Sequence, residues 1–237
     1  MPPAPAPTLL ALEHLRRYDS CTLSNAIERL NVRPRNEGFV NGSITCRFPQ
    51  LPPALGHAVT GRIRTYDQPM DRQCYYEQMS WWHYVATIPE PRMVVLQDMD
   101  DPPGVGAMFG EVHARICRAM GCVGYLTNGA VRDLDGVEAL GYHLFAGSVS
   151  VSHAYAHIID FGIPVEVGGL RVSPGDLLFG DRHGVLSIPV SAIPRLPVLA
   201  DQLLAQEREL FQLCESGNFS IDALAKQIQA AARRQRC

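Results

Sequence analysis

From Gly56 to Pro189 the chain is a succession of short β-rich runs cut by Gly, Pro and Asp: GHAVTGRIRT, PRMVVLQDM, GCVGYLT, YHLFAG, IPVEV, LRV, DLLFG and GVLSIP. Runs this short, rich in β-branched and aromatic residues, read as strands, and their number sets the architecture. Glu111 to Met120 carries apolar residues at helical spacing and falls between two of them, as a β-α-β unit requires. Gly168-Gly169 between VEV and LRV predicts a two-residue hairpin turn, and Pro174-Gly175-Asp176 predicts the next turn. The expected fold class is α/β.

Helices are expected at both ends. LLALEHLRRY and TLSNAIERL repeat apolar residues at helical spacing, with Thr22 or Ser24 available to cap the second. From Ile193 onward the pattern is helical again, ending in the amphipathic ALAKQIQAAARR, a kind of tail that often docks on a neighbouring subunit. Residues 1–7 alternate Pro with Ala and predict a disordered arm. The organisation is therefore one α/β domain over 8–192 with a helical extension over 193–237. The aromatic-rich segment Tyr66 to Pro91 reads as core more readily than as a helix capping a pocket.

Composition removes several function classes. Net charge is −3, with Lys+Arg 21 against Asp+Glu 24, which gives no basic field for phosphates and argues against a nucleic-acid partner. No basic and apolar leader opens the chain and no apolar run is long enough to span a bilayer, so a cytoplasmic protein without membrane contact is expected. The seven cysteines are odd in number and lack C-x-x-C spacing, so reduced and mostly buried thiols are expected. Lys226 is the only lysine and lies in the terminal amphipathic segment. Imine chemistry needs a desolvated amine in a pocket, and that position is a poor place for one.

The dipeptide most open to chemistry is Arg132-Asp133, after Thr127-Asn128-Gly129 at the mouth of a strand. An adjacent Arg and Asp alone read more simply as a solvated surface pair. What raises the pair above that is Glu111, twenty-one positions before Arg132, at the start of a helix that follows PGVGAMFG. The backbone amides of Val112 and His113 in that first turn offer an anion site next to Gly110. A substrate carboxylate could sit there while its keto oxygen reaches a metal held by Asp133.

Other signals weigh less. Gly104, Gly106 and Gly110 do not follow the dinucleotide-loop spacing. His153 and His157 are i,i+4 on an expected helix, HAYAH, and could join Asp160 at a metal, although structural histidines are the simpler reading. Ser148, Ser150 and Ser152 lack a nucleophile elbow. Asp176, Asp181 and His183 sit in turns, where Asp is favoured for backbone reasons, though Asp181 and His183 could line the pocket.

On TLSNAIERL, GHAVTGRIRT, Gly110-Glu111, GAVRD at Gly129 to Asp133, and PGDLLFGDRHGVLSIP from Pro174, the chain resembles the RraA-like proteins over roughly residues 20 to 190. That family includes 4-hydroxy-4-methyl-2-oxoglutarate/4-carboxy-4-hydroxy-2-oxoadipate aldolases and the ribonuclease E inhibitor RraA. In the aldolase branch an acid, twenty residues and then Arg-Asp map onto Glu111, Arg132 and Asp133. This chain departs in carrying Glu111, Asn25 and Asn128 where Asp is common.

The resemblance implies a swivelling β/β/α domain and Mg²⁺ or Mn²⁺ bound directly by Asp133 and through water by Glu111. It places Arg132 on the oxo acid. It also implies a trimer or dimer of trimers, with Glu207 or Glu209 of a neighbouring copy approaching the site. The expected activity is class II pyruvate aldolase chemistry on 4-hydroxy-2-oxo acids, with oxaloacetate decarboxylation as a second outcome of the same enolate. A non-enzymatic binding protein is the alternative.

Overall fold

The computed structural model describes residues 9–69 and 78–236. The proline-alanine arm expected at residues 1–7, and part of the aromatic-rich segment, lie outside the described residues. Two helices open the chain, α1 (Leu9–Leu15) and α2 (Ser20–Leu30). Their cap differs from expectation: the Asp19 carboxylate accepts the Thr22 amide at 2.7 Å, so the N-cap lies before Thr22 and Ser24. Thr22 is instead buried within the helix.

The architecture is the expected α/β type. Four parallel strands form the centre of a nine-stranded sheet: β2 (Ala54–Arg64), β3 (Arg92–Asp98), β5 (Cys122–Val131) and β6 (His143–Val149). Four antiparallel strands extend it. These are β1 (Thr45–Cys46) on β6, β7 (His157–Phe161) on β2, and the pair β10 (Leu177–Asp181) and β11 (Gly184–Ile188), with β10 on β2. The separate hairpin of β8 (Val165–Val167) and β9 (Leu170–Val172) turns at Gly168 and Gly169, both at positive φ, as the Gly-Gly signal predicts.

Each face of the sheet is covered differently. On one, α3 (Met79–Thr87), α4 (Glu111–Ala119) and α5 (Leu134–Ala139) pack on Val94, Leu96, Tyr125 and Leu144, and Trp81 is almost wholly buried there, which supports the core reading of the aromatic segment. On the other, the β8–β9 hairpin packs on Val95, Leu126 and Phe145. A third cluster joins α1, α2 and the start of α6 (Leu196–Glu215) to β10 and β11, so the helical extension begins as part of a shared core. The amphipathic α7 (Ile221–Arg236) follows and packs on α6.

The strand that positions the site is β4 (Ala107–Phe109). Beside β5, β3 pairs only as far as Thr127, and β4 takes its place opposite Ala130 and Val131. The exchange is pinned by Asn128, whose side chain accepts the Asp98 amide at 2.7 Å and donates to the Asp98 carbonyl at 2.9 Å. An amide side chain accepts through one atom and donates through another, which an ionised carboxylate cannot do, and this is a local reason for Asn rather than Asp at 128. Asp98 in turn accepts the Gly104 amide at 2.8 Å, and Asp100 accepts the Thr65 amide, the Thr65 hydroxyl and the Tyr66 amide, so the β3–β4 loop is tied at both ends.

Candidate active site

β5 ends at Val131 and delivers Arg132 and Asp133 to the edge of the sheet; β4 ends at Phe109 and delivers Gly110 and Glu111 beside them. The Arg132 amide donates to the Phe109 carbonyl at 3.0 Å, which locks the two strand ends together. Asp133 has φ 54, a left-handed conformation that Asp tolerates better than most residues, and it caps the backbone of α5. A Cβ at Gly110 would lie 2.4 Å from Asp133 Oδ2, so only glycine permits this approach.

Both carboxylate oxygens of Asp133 are oriented. Oδ2 accepts the Glu111 amide at 3.1 Å and Oδ1 accepts Arg132 Nε at 3.1 Å. Burial pushes the Asp133 pKa up, but the Glu111 amide and the Arg132 guanidinium together outweigh it and hold the group below the ordinary carboxylate range. The side chain is 37% exposed, so an ionised, oriented oxygen pair faces solvent.

Sequence reasoning brings Glu111 to this place, but its backbone amide makes the contact with Asp133. Its carboxylate is held by Arg115, one turn on, at 2.9 and 2.6 Å, and lies against Gly136 of α5, where a Cβ would be 2.3 Å from Oε2. The i,i+4 spacing of Glu111 and Arg115 carried that signal in the sequence. Val112 is exposed on the first turn of α4. His113 contributes only backbone to that turn: its ring is buried, bonds the Met108 carbonyl through Nδ1 at 3.0 Å and stacks on Phe109. Burial pushes its pKa down to about 4, so the imidazole stays neutral.

Other expectations are redirected. HAYAH is not a helix. Residues 150–156 form an irregular strap with Ala154 at φ 47, and His157 opens β7. Ser152 bonds the edge of β4, and tertiary hydrogen bonds outweigh the weak helical periodicity. His153, which the sequence gives no reason to place here, sits on that strap and adds to the electrostatic lowering of the Asp133 pKa. Glu209 accepts Gln227 of α7 at 2.7 Å, within its own chain. Cys117 and Cys122 are buried, whereas Cys21 and Cys214 are exposed, and no disulfide joins the described cysteines. A cavity of about 250 Å³ is lined by His183, Cys21, Ser24 and Phe39 between α2 and β11, and Glu111, Arg132 and Asp133 do not line it.

Among the described residues no group of three or more His, Cys, Asp or Glu gathers to hold a metal ion. The donor set at Asp133 still fits a hard cation of one kind. Mg²⁺ keeps several waters and takes one or two carboxylates plus substrate oxygens, and Asp133 offers one ionised carboxylate with Glu111 close by.

The RraA-like (Aldolase/RraA) family pattern matches residues 20–187, including every residue of this site. The chain belongs to the RraA-like family. A relative from Halalkalibacterium halodurans, provisionally named 4-hydroxy-4-methyl-2-oxoglutarate aldolase, is 31% identical over 84 residues, 35% of this chain and 40% of the relative. One of the same provisional name from Ectopseudomonas mendocina is 29% identical over 90 residues, 35% of this chain and 52% of the relative. The chain thus spans about half or less of these two relatives. Among solved structures, the RNase ES inhibitor family member RraAS2 of Streptomyces coelicolor superposes with TM-score 0.65 at 21% identity, over 89% of this chain and 98% of that one. An uncharacterised protein of Pseudomonas syringae superposes with TM-score 0.72 at 19% identity, over 95% and 96%. These structural likenesses establish the RraA-like fold. Among the described residues no helix is long and apolar enough to cross a membrane.

Proposed function

We propose that this RraA-like protein is a divalent-metal-dependent lyase that cleaves 4-hydroxy-2-oxo acids to pyruvate and a carbonyl product. The observation that carries the reading is Asp133, an ionised carboxylate oriented by the Glu111 amide and Arg132 at the junction of two strand ends. Asp133 would hold Mg²⁺ or Mn²⁺, with Glu111 reaching its water shell, and the bound ion would draw electron density from the substrate's keto oxygen.

The chain's own residues supply the rest. The first turn of α4, at Gly110, Val112 and His113, directs backbone amides and a helix N-terminus toward the substrate carboxylate. Arg132 meets the charge that grows on the pyruvate oxygen as the C3–C4 bond breaks. Oxaloacetate would give the same enolate by loss of CO₂. Arg132 and Asp133 lie at a partly exposed edge, and a neighbouring copy in a trimer or dimer of trimers would cover it, with Glu207 or Glu209 as the residues it contributes.

The test is pyruvate release, coupled to lactate dehydrogenase, over a panel of 4-hydroxy-2-oxo acids and oxaloacetate. Turnover is expected with Mg²⁺ or Mn²⁺, to be lost in EDTA, and to fall sharply in Asp133→Asn. Full turnover in chelator overturns the metal; no turnover on any substrate favours the non-enzymatic binding reading.

A further inference from the structure

Glycine is among the least favourable residues inside a helix, because it loses the most backbone freedom and packs nothing. Gly136 nevertheless stands in α5, three residues after Asp133, and no positive φ calls for it there. What requires it is a side chain from α4. A Cβ at 136 would lie 2.3 Å from Glu111 Oε2 and 2.6 Å from Glu111 Cδ, closer than packed atoms approach. The Glu111 carboxylate occupies the space that a side chain at 136 would fill.

The other side of this seat is Arg115, one turn along α4. Its Nε and Nη2 both donate to Glu111 Oε1, at 2.9 and 2.6 Å. One carboxylate oxygen is therefore held by the guanidinium, and the other lies over the α5 backbone. The two side chains are 62% and 38% exposed, so as an ion pair they add little to stability, and a helix glycine kept for their sake needs another reason. The Glu111 amide supplies one. It donates to Asp133 Oδ2 at 3.1 Å, so the residue whose carboxylate is seated is also the residue that orients Asp133.

We infer that Gly136 and Arg115 are positioning residues of this site: together they fix the Glu111 carboxylate where it meets the water shell of an ion on Asp133. The inference rests on the divalent-metal reading. Gly136 leaves the room, Arg115 holds the charge in it, and neither touches the ion or the substrate.

The test is Mn²⁺ affinity of the full chain, measured by EPR titration, which needs no substrate. Gly136→Ala is the informative variant, because the atoms it meets are the end of a flexible side chain: α5 gains a better helix former and the Glu111 carboxylate is pushed aside. It is expected to weaken Mn²⁺ binding roughly 10-fold, with a melting temperature no lower than that of the wild type. In the Glu111→Ala background the same substitution displaces nothing and should change the affinity by less than about twofold. Arg115→Lys, on the exposed surface of α4, keeps the charge but not the two-point hold and should weaken binding a few-fold.

Unchanged affinity in Gly136→Ala overturns the inference and leaves the metal reading intact. So does a loss of equal size with and without Glu111→Ala, which would place the effect in some other contact. Wild-type affinity in Arg115→Lys overturns the part assigned to Arg115. A wild-type protein that binds no Mn²⁺ overturns the metal reading itself, and the positioning role falls with it.

Discussion

Asp133 and Asp181 look alike in the sequence, each beside an arginine in a glycine-flanked turn, GAVRDLDG and GDRHG, and the fold uses them in opposite ways. Asp181 is 5% exposed and accepts three hydrogen bonds, from the Ser20 amide and hydroxyl and the His183 amide, with His183 Nδ1 3.3 Å away. A carboxylate offers about four lone-pair sites, so most of the Asp181 capacity is taken within the chain, and it serves as a latch between α2 and the β10–β11 hairpin. Asp133 has the Glu111 amide and Arg132, and the rest of its acceptor capacity faces solvent. The difference lies in how many donors the surrounding chain supplies.

The contrast breaks first at Arg132. Arg132→Ala is expected to lower kcat by roughly 10² to 10³, about 2.7 to 4 kcal/mol of transition-state stabilisation. Arg132→Lys should recover only part, since an ammonium lacks the planar two-point contact. A solvated surface pair would instead leave kcat unchanged, and kcat of both variants on an established substrate separates these outcomes. Stability should move by less than about 1 kcal/mol, because the pair is partly exposed.

At Asp181 the expectation is reversed. Asp181→Ala strands the Ser20 donors and should cost about 2 to 3 kcal/mol, roughly 4 to 12 °C of Tm for a chain of this size. Tm measured by calorimetry checks it, and an Asp181→Ala protein that melts like wild type would mean the latch contributes nothing.

A smaller effect, read by pH, is expected at a buried histidine. His143 is buried with Nε2 2.7 Å from the Pro52 carbonyl, and burial pushes its pKa down. Its folded pKa lies below the unfolded value of about 6.5, so the unfolded chain binds the extra proton. The His143 contribution is therefore full above pH 6.5 and declines as pH falls below it. The Tm difference between wild type and His143→Gln should shrink from pH 8 toward pH 5; a constant difference contradicts the assignment.

The smallest effect is expected at Lys226, which is exposed on α7. Lys226→Ala should leave turnover unchanged, and borohydride with pyruvate should trap no adduct. A stable mass increase after reduction would restore an imine route.

Features set by neighbours in the chain were readable in the sequence alone. Gly168-Gly169 turns a hairpin because both positions need positive φ, and Glu111 to Ala119 is a helix because its apolar residues share one side. The spacing from Glu111 to Arg132 and Asp133 likewise predicted that these residues meet, since a β-α-β unit returns the chain to the end of the adjoining strand. Tertiary structure decided what depends on partners distant in sequence. It turned HAYAH from an expected helix into a strap, because Ser150 and Ser152 bond Val131 and Ala107 across the strand ends. It made Asp181 a latch by bringing Ser20 to it from 161 residues away. It also gave Asp133 its left-handed backbone against Gly110, a contact that no local propensity encodes, because β4 must first displace β3 beside β5.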